Sequence, residues 1–376
     1  MKILMVLALP AVRTLGAARI QVELADSLRA RGHEVDFLAL PDVYPLPPRN
    51  SVDAILRAFP RASLPQLKRM APSYDVIDAV EGCVTANKAT LGFDGVLVGR
   101  SIGLRTAYER WRADAYRRFP AMRGRLLGRI PHKVRRRYRL WEAHQSRAHA
   151  DGFFALNAAE GDELGTVMGA ARVRTLPLAL RDDHRAALAG AAQSRSPDAE
   201  PHVVFLGTWD ARKGCYDFPR IVRALQREVP GVRFTFLGTK ASSEQVLLEL
   251  GLESNSHVHV VPHFAPEALP EMLSVATAGV FPSYAEGFGF AILEQLAAGI
   301  PVVAYDAPGP HDILAPLDDR LLVKLGDIDA LTRTLVAAVH GRLISPEACV
   351  AHAGRFRWDA IALDTTRAYS AWGAPS

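Results

Sequence analysis

Two glutamates eight residues apart, Glu286 and Glu294, stand in the stretch SYAEGFGFAILEQLAAGIPVVAYDAPGP, with Gly287 and Gly289 between them. A carboxylate accepts hydrogen bonds at both oxygens and so suits the hydroxyl groups of a sugar. Glycine at a strand end lets backbone N–H groups approach a ligand, and a helix N-terminus favours an anion. On one continuous helix this spacing would part the acids by ~12 Å along the axis. With Glu286 on a loop and Glu294 in the first turns of a helix, both can face one pocket at different depths. A nucleotide-sugar, with a sugar at each end of a diphosphate, would engage both.

Three other segments carry the same chemistry. FLGTWDARKG holds Gly207, Thr208, Arg212, Lys213 and Gly214; FLGTKASS holds Gly238; AYDAPGPHDI follows the next apolar run. Each leaves a short apolar stretch that reads as a strand, so all converge on strand carboxyl ends. Lys213 supplies a mobile positive charge for phosphate oxygens. Together they describe a pocket for a phosphorylated ligand.

The elements that must position these residues follow from the alternation of patterns. KILMVLAL, EVDFLAL, YDVIDAV, DGVLVGRS and ADGFFALN read as strands, with a helix over 18–31 and helical character over 105–149. A second series begins at HVVFLGTW and runs through VRFTFLGT, HVHVVPHF, AGVFPS and PVVAY, with helices between. The fold class expected is α/β, two Rossmann-like doubly wound parallel-sheet domains facing across a cleft. Residues 1–180 form the first, acceptor-side domain. Residues 181–200, short on large apolar side chains, read as a linker, and 201–357 form the second, nucleotide-sugar domain. The tail 358–376 reads as a helix returning to the first domain, with Trp358, Ile361 and Tyr369 buried.

Composition bounds the rest. At 376 residues, 49% hydrophobic and 23% charged, the chain suits two soluble globular domains. Cys83, Cys215 and Cys349 lie far apart and form neither a metal-type pair nor a disulfide framework. The N-terminal MKILMVLALPAV has the look of a signal peptide, but an amphipathic helix and a strand follow without a break. It reads better as the first strand of a βαβ unit. No apolar run approaches the ~20 residues that span a bilayer. A cytoplasmic protein is expected.

Charge is concentrated. Residues 105–139 hold thirteen Lys and Arg against Glu109 and Asp114, a surplus of eleven in a chain whose net charge is +5. Three readings stand for this segment: a solvated helical face, a nucleic-acid contact, or peripheral contact with the anionic inner face of a membrane. Trp111, Tyr116, Phe119, Leu126, Leu127, Ile130 and Trp141 supply apolar partners for the membrane reading. No nucleic-acid partner is expected, since no groove-reading motif accompanies the charge. Asp327 and Asp329 read as a helix cap rather than a metal pair, and His257, His259 and His263 lack a nearby carboxylate or thiol. Glu81, Asn87 and Lys88 are candidates for the acceptor side.

EGFGFAILE, with PS before it, GIPVVAYDAPGP after it, ARKG beyond the first strand of the second series and RGHEV after the first helix, resembles the retaining GT-B glycosyltransferases. The E-x7-E motif is that of glycosyltransferase family four, the group 1 type. The resemblance implies Glu286 and Lys213 as the catalytic residues, Glu286 at the donor-sugar hydroxyls and Lys213 at a phosphate. It implies Glu294 at the ribose. Gly287, Phe288, Gly289, Phe290, Gly207, Thr208, Arg212, Gly238 and the N-terminal Gly16 would complete the donor site. It further implies transfer with retention, no metal and no cofactor, and a glycan or lipid-linked acceptor. This chain departs from the family pattern at Thr208, where Arg is common, at Ala17, where a second glycine is common, and at Ile102, where RSHGLE has His. The function expected is a retaining glycosyltransferase of polysaccharide, lipopolysaccharide or glycolipid synthesis. The alternatives are a catalytically weak nucleotide-sugar binder and a nucleic-acid binder acting through 105–139.

Overall fold

KILMVL is buried along nearly its whole length, as an interior strand of a parallel sheet must be, and it forms β1 (Lys2–Leu7). The structure, a computed structural model, describes residues 1–13, 16–44, 52–119, 132–196, 199–252 and 257–375. These fall into two units, Met1–Leu178 with Trp358–Ser376, and Ala179–Arg357.

In the first unit β1 is joined by β2 (Glu34–Ala39), β3 (Val76–Val80), β4 (Val96–Arg100), β5 (Gly152–Ala155) and β6 (Val173–Thr175). The six strands are parallel in the order β2-β1-β3-β4-β5-β6. The order reverses between β1 and β3, so their carboxyl ends open a crevice of the kind that holds ligands in such sheets. Helix α1 (Gly16–Ala30) follows β1. The basic segment supplies α2 (Arg105–Arg118) and α3 (His132–His149). Residues 120–131, among them Arg123, Arg125, Leu126, Leu127, Arg129 and Ile130, lie outside the described residues.

The second unit opens with α4 (Asp182–Ser194). This corrects the expectation of a linker over 181–200. Few large apolar side chains are needed there because α4 packs through small ones: Leu188 and Ala191 are buried, and alanine favours helix intrinsically. Asp182 and Asp183 in its first turn also complement the helix dipole. Arg195, just past the helix, donates to the carbonyls of Leu273, Ser274, Ala298 and Gly299 at 2.9–3.2 Å and so caps two helix ends at once.

The second sheet contains β7 (His202–Leu206), β8 (Arg233–Leu237), β9 (Val258–Val261), β10 (Ala278–Phe281), β11 (Val302–Tyr305) and β12 (Leu322–Val323). It is parallel in the order β12-β11-β10-β7-β8-β9. Counted from β7 this is the 3-2-1-4-5-6 order of dinucleotide-binding sheets, and the reversal falls between β7 and β10. Helices α5 (Phe218–Glu228), α6 (Phe290–Ala297) and α7 (Pro308–Leu314) matter for the site. Asp327 caps the next helix, accepting from the Ala330 N–H at 2.9 Å.

The tail forms α8 (Trp358–Ala371) within the first unit, with Trp358, Ile361 and Tyr369 buried. The Trp358 indole donates to Glu23 on α1 at 2.8 Å. At the other end the Tyr369 hydroxyl donates to Asp78 Oδ2 at 2.6 Å, and Arg100 Nη2 donates to the same oxygen at 2.6 Å. All three are almost fully buried, and the Arg100 guanidinium also lies 4.1 Å from the Phe154 ring centroid. A charge taken out of water is tolerated only when paired and hydrogen-bonded, so this triad ties the tail to the middle of the sheet. Tyr369→Phe removes one donor from a buried carboxylate and should cost about 1.5–3 kcal/mol in urea unfolding. An unchanged midpoint would show that Arg100 alone satisfies Asp78.

Candidate functional site

β7 and β10 are neighbours at the switch point, and the two loops leaving them pack against each other. After β7, Asp210 accepts from the N–H groups of Arg212 and Lys213 at 2.9 and 3.2 Å, capping a single turn over Ala211–Lys213. Gly214 closes that turn with φ +82°. A Cβ there would collide with the carbonyl oxygen of Pro282, so only glycine lets the turn lie against the loop after β10. Tyr284 N–H then donates to the Arg212 carbonyl at 2.8 Å, and Ser283 Oγ reaches the same oxygen at 3.3 Å.

The side chains meet as the backbones do. Lys213 Nζ donates to Glu286 Oε2, and Arg212 Nη1 lies 3.3 Å from that oxygen while donating to the Ala285 carbonyl at 3.0 Å. Lys213 Nζ also sits 4.5 Å from the Phe281 ring centroid. The side chains of Lys213 and Glu286 are only 12% and 15% exposed. Burial works to raise the Glu286 carboxyl, but the Lys213 and Arg212 cations more than reverse it and hold it below its ordinary range. The cluster therefore holds one anion and two cations in a largely dry space.

Around it the chain is locked from behind. Asp217, buried just before α5, accepts from the hydroxyls of Tyr284 and Tyr305 at 2.5 and 2.7 Å. Burial beside that carboxylate pushes the Tyr305 phenol well above its ordinary value, so it stays a donor. Gly309, in the first turn of α7 where the sequence suggests a Pro-Gly-Pro loop, donates to the Glu286 carbonyl at 3.3 Å. A Cβ on Gly309 would strike the Phe288 backbone.

The remaining expected residues are spread around this core. Gly289, at φ +115°, is the N-cap of α6, and Phe288 is buried beside Phe290 and Phe356. Gly287 lies between Glu286 and Phe288 on the loop that Gly309 presses. Glu294 is in the second turn of α6, 8% exposed, with Oε1 3.3 Å from His184 Nε2. Gly207 and Gly238 end β7 and β8, donating to the carbonyls of Leu237 and Val261 at 2.9 and 2.8 Å. The Thr208 hydroxyl is committed to Asp210 at 2.5 Å. Gly16 belongs to the first unit, at the start of α1. So the structure brings Glu286, Lys213 and Arg212 into contact, gives Glu294 a separate partner, and spends Thr208 on its own turn.

Three residues that the sequence reading passed over have clear places here. His184 was hidden in the supposed linker, and the acidic first turn of RDDHR was the available signal. Asp217 and Arg195 carry no local signature, because their partners come from distant loops. Of the acceptor-side candidates in the first unit, Asn87 caps a helix by accepting from Thr90 N–H at 2.8 Å, and Lys88 pairs with Asp151 at 2.9 Å. Glu81 accepts from Arg147 and from the Arg105 N–H.

Comparison with known proteins bears on this geometry. Residues 190–354 match the family model described as Glycosyl transferases group 1. O-antigen chain mannosyltransferase B of Escherichia coli is 25% identical over 175 residues, 45% of this chain and 45% of that protein. D-inositol 3-phosphate glycosyltransferase of Nocardia farcinica is 30% identical over 253 residues, 60% of this chain and 53% of that protein. This chain thus spans about half the length of these two relatives. Sucrose-phosphate synthase of Thermosynechococcus elongatus shares the fold, with a TM-score of 0.73 over 98% of each chain at 21% identity.

Lys213→Met would leave the buried Glu286 carboxylate with Arg212 alone, and a loss of about 1–3 kcal/mol is expected in urea unfolding. Adding Glu286→Gln should restore part of it, and a double-mutant cycle with no coupling would refute the pairing. Because the folded carboxyl lies below its usual 4.5, its stabilising contribution is complete above that pH and disappears as the pH falls through the folded value. In Lys213→Met that loss should begin at higher pH. The cluster lies inside the segment that the family model matches, on a sheet with the order that dinucleotide-binding domains use. Residues 190–354 thus match the glycosyl transferases group 1 model, and the chain that carries them has the GT-B fold.

Proposed function

We propose that the chain is a retaining glycosyltransferase that moves a sugar from a nucleotide-diphosphate donor to a glycan or lipid-linked acceptor. The observation that carries this reading is the Glu286–Lys213–Arg212 cluster at the switch point of the second sheet. The two cations beside Glu286 suit a diphosphate at the N-terminus of α6. As phosphate oxygens take up Lys213 and Arg212, Glu286 is freed to accept from donor-sugar hydroxyls. Glu294, in the second turn of α6, accepts from the ribose. Backbone N–H groups near Phe288 and Gly289 approach the diphosphate, which needs the absence of a side chain at Gly289. The departing phosphate, held by Lys213, assists deprotonation of the acceptor on the same face, and no metal or cofactor takes part.

The O-antigen name of one relative supports a polysaccharide setting, whereas the D-inositol 3-phosphate name of the other points to a small phosphorylated acceptor. On this reading the protein works in the cytoplasm, with the basic segment around α2 and α3 resting on an anionic membrane face. No helix among the described residues is long and apolar enough to cross a membrane.

A second reading is a catalytically weak nucleotide-sugar binder, in which the Thr208 hydroxyl, donating to Asp210 at 2.5 Å, serves to brace the turn. Donor hydrolysis separates the two readings: slow nucleotide release that depends on Glu286 supports the enzyme, and saturable binding without release supports the binder.

Glu286→Ala should abolish transfer while the far-ultraviolet spectrum and unfolding cooperativity stay those of the parent. Turnover within twofold of the parent would reject the role of Glu286. A thermal-shift screen across nucleotide-sugars should find one whose excess raises apparent stability, by about 2.7 kcal/mol at one hundred times its dissociation constant.

A further inference from the structure

The switch point of the first sheet carries a cavity of a different chemical character. It lies beyond the carboxyl ends of β1, β3 and β4 and has a volume of about 330 Å³. Its walls are aliphatic: Leu7, Ala8, Leu9, Val80 and Ile102 all line it. Leu7, Ala8 and Val80 are buried, whereas Leu9 and Ile102 are half-buried at the opening. Cys83 completes the lining, and burial pushes its thiol up to about 11, so it is a neutral, weakly polar surface at physiological pH.

Glu81, Arg105 and Tyr108 also line it, and Glu81 and Arg105 already have partners within the protein. One Glu81 oxygen accepts from Arg147 Nε and Nη2 at 2.9 and 2.7 Å, and the other accepts from the Arg105 N–H at 2.9 Å. The Arg105 guanidinium pairs with Glu142 and lies over Gly82, where a Cβ would come within 2.6 Å of it. Tyr108 lies over Gly103, its hydroxyl 2.5 Å from where a Cβ would stand. A hydroxyl-rich ligand pushed into this space would lose its water and gain few hydrogen bonds in return. An aliphatic group would lose nothing and bury its surface.

We propose that this cavity is a subsite for an aliphatic chain of the acceptor, which selects acceptors that carry an alkyl group beside the hydroxyl that receives the sugar. The inference rests on the proposed function, in which the first unit presents the acceptor. Ile102 is its specificity-determining residue: a hydrogen-bonding side chain at that position would give the wall a polar group, and isoleucine gives it a dry one.

The test uses the full chain and n-alkyl β-D-glucosides from methyl to octyl, each below its micelle threshold, in titration calorimetry. Affinity should rise roughly fourfold per added methylene and then level off once the cavity is filled. Leu9→Asn and Ile102→Asn, both at half-buried positions, should each weaken octyl glucoside binding about tenfold, with an unfolding transition that stays cooperative. Equal binding of methyl and octyl glucoside, or octyl binding insensitive to both variants, would overturn the proposal. Nucleotide-sugar binding followed in the same preparations keeps the two failures apart. A normal donor response without the alkyl-length effect sinks the cavity alone; the alkyl effect without any donor response sinks the transferase reading and leaves an aliphatic site.

Discussion

A carboxylate buried between two cations is the constraint around which the second unit is arranged. Any one of Glu286, Lys213 and Arg212 would be costly to bury alone, so the two loops that carry them must be held in register. The means are backbone means. Asp210 fixes the turn that aims Arg212 and Lys213, Gly214 lets that turn touch Pro282, and Gly309 presses the loop of Glu286 from the other side. Asp217 holds Tyr284 from beneath. The Pro-Gly-Pro run after β11 opens α7, and its middle residue is glycine because a side chain on Gly309 would displace the Phe288 backbone.

The first unit buries charge too, but to a different end. Asp78, Arg100 and Tyr369 lock the tail helix to the sheet, and Glu81, Arg147 and Arg105 lock the two basic helices to the strand ends. Arg105 also pairs with Glu142, so each of these bases has an acid beside it. The strand ends between them are lined chiefly with aliphatic side chains. Two sheets of related topology therefore offer different chemistry at equivalent places: two cations beside a carboxylate in one, a largely aliphatic wall in the other. The difference lies in which side chains face the strand ends, not in the architecture.

Much of this was legible in the sequence because it is written in short-range patterns. The strands announce themselves as apolar runs, and Glu286, Lys213 and Arg212 stand directly after such runs, where parallel sheets place ligands. The contact between Lys213 and Glu286 needed the strand order as well, since they lie 73 residues apart and meet only because β7 and β10 are neighbours. Composition misled at 181–200: an alanine-rich helix lacks the large apolar stripe by which helices are recognised, yet it packs well through its small side chains. His184 went unseen for that reason, and Arg195 because its partners lie far along the chain. The role of Thr208 as a brace for Asp210 carried no signal in the sequence.

On the proposed reading, the ion cluster makes phosphate and sugar recognition interdependent. A diphosphate that engages Lys213 competes with Glu286 for it, so the gain from the phosphate contact is offset by the cost of weakening a buried carboxylate's strongest pairing. A bare nucleotide leaves that cost standing. A nucleotide-sugar removes it, because its hydroxyls donate to the freed acid. The cluster thus turns an otherwise indiscriminate attraction for phosphate into a preference for phosphate that carries a sugar. It does so through charge balance, with no need for a further side chain to inspect the sugar.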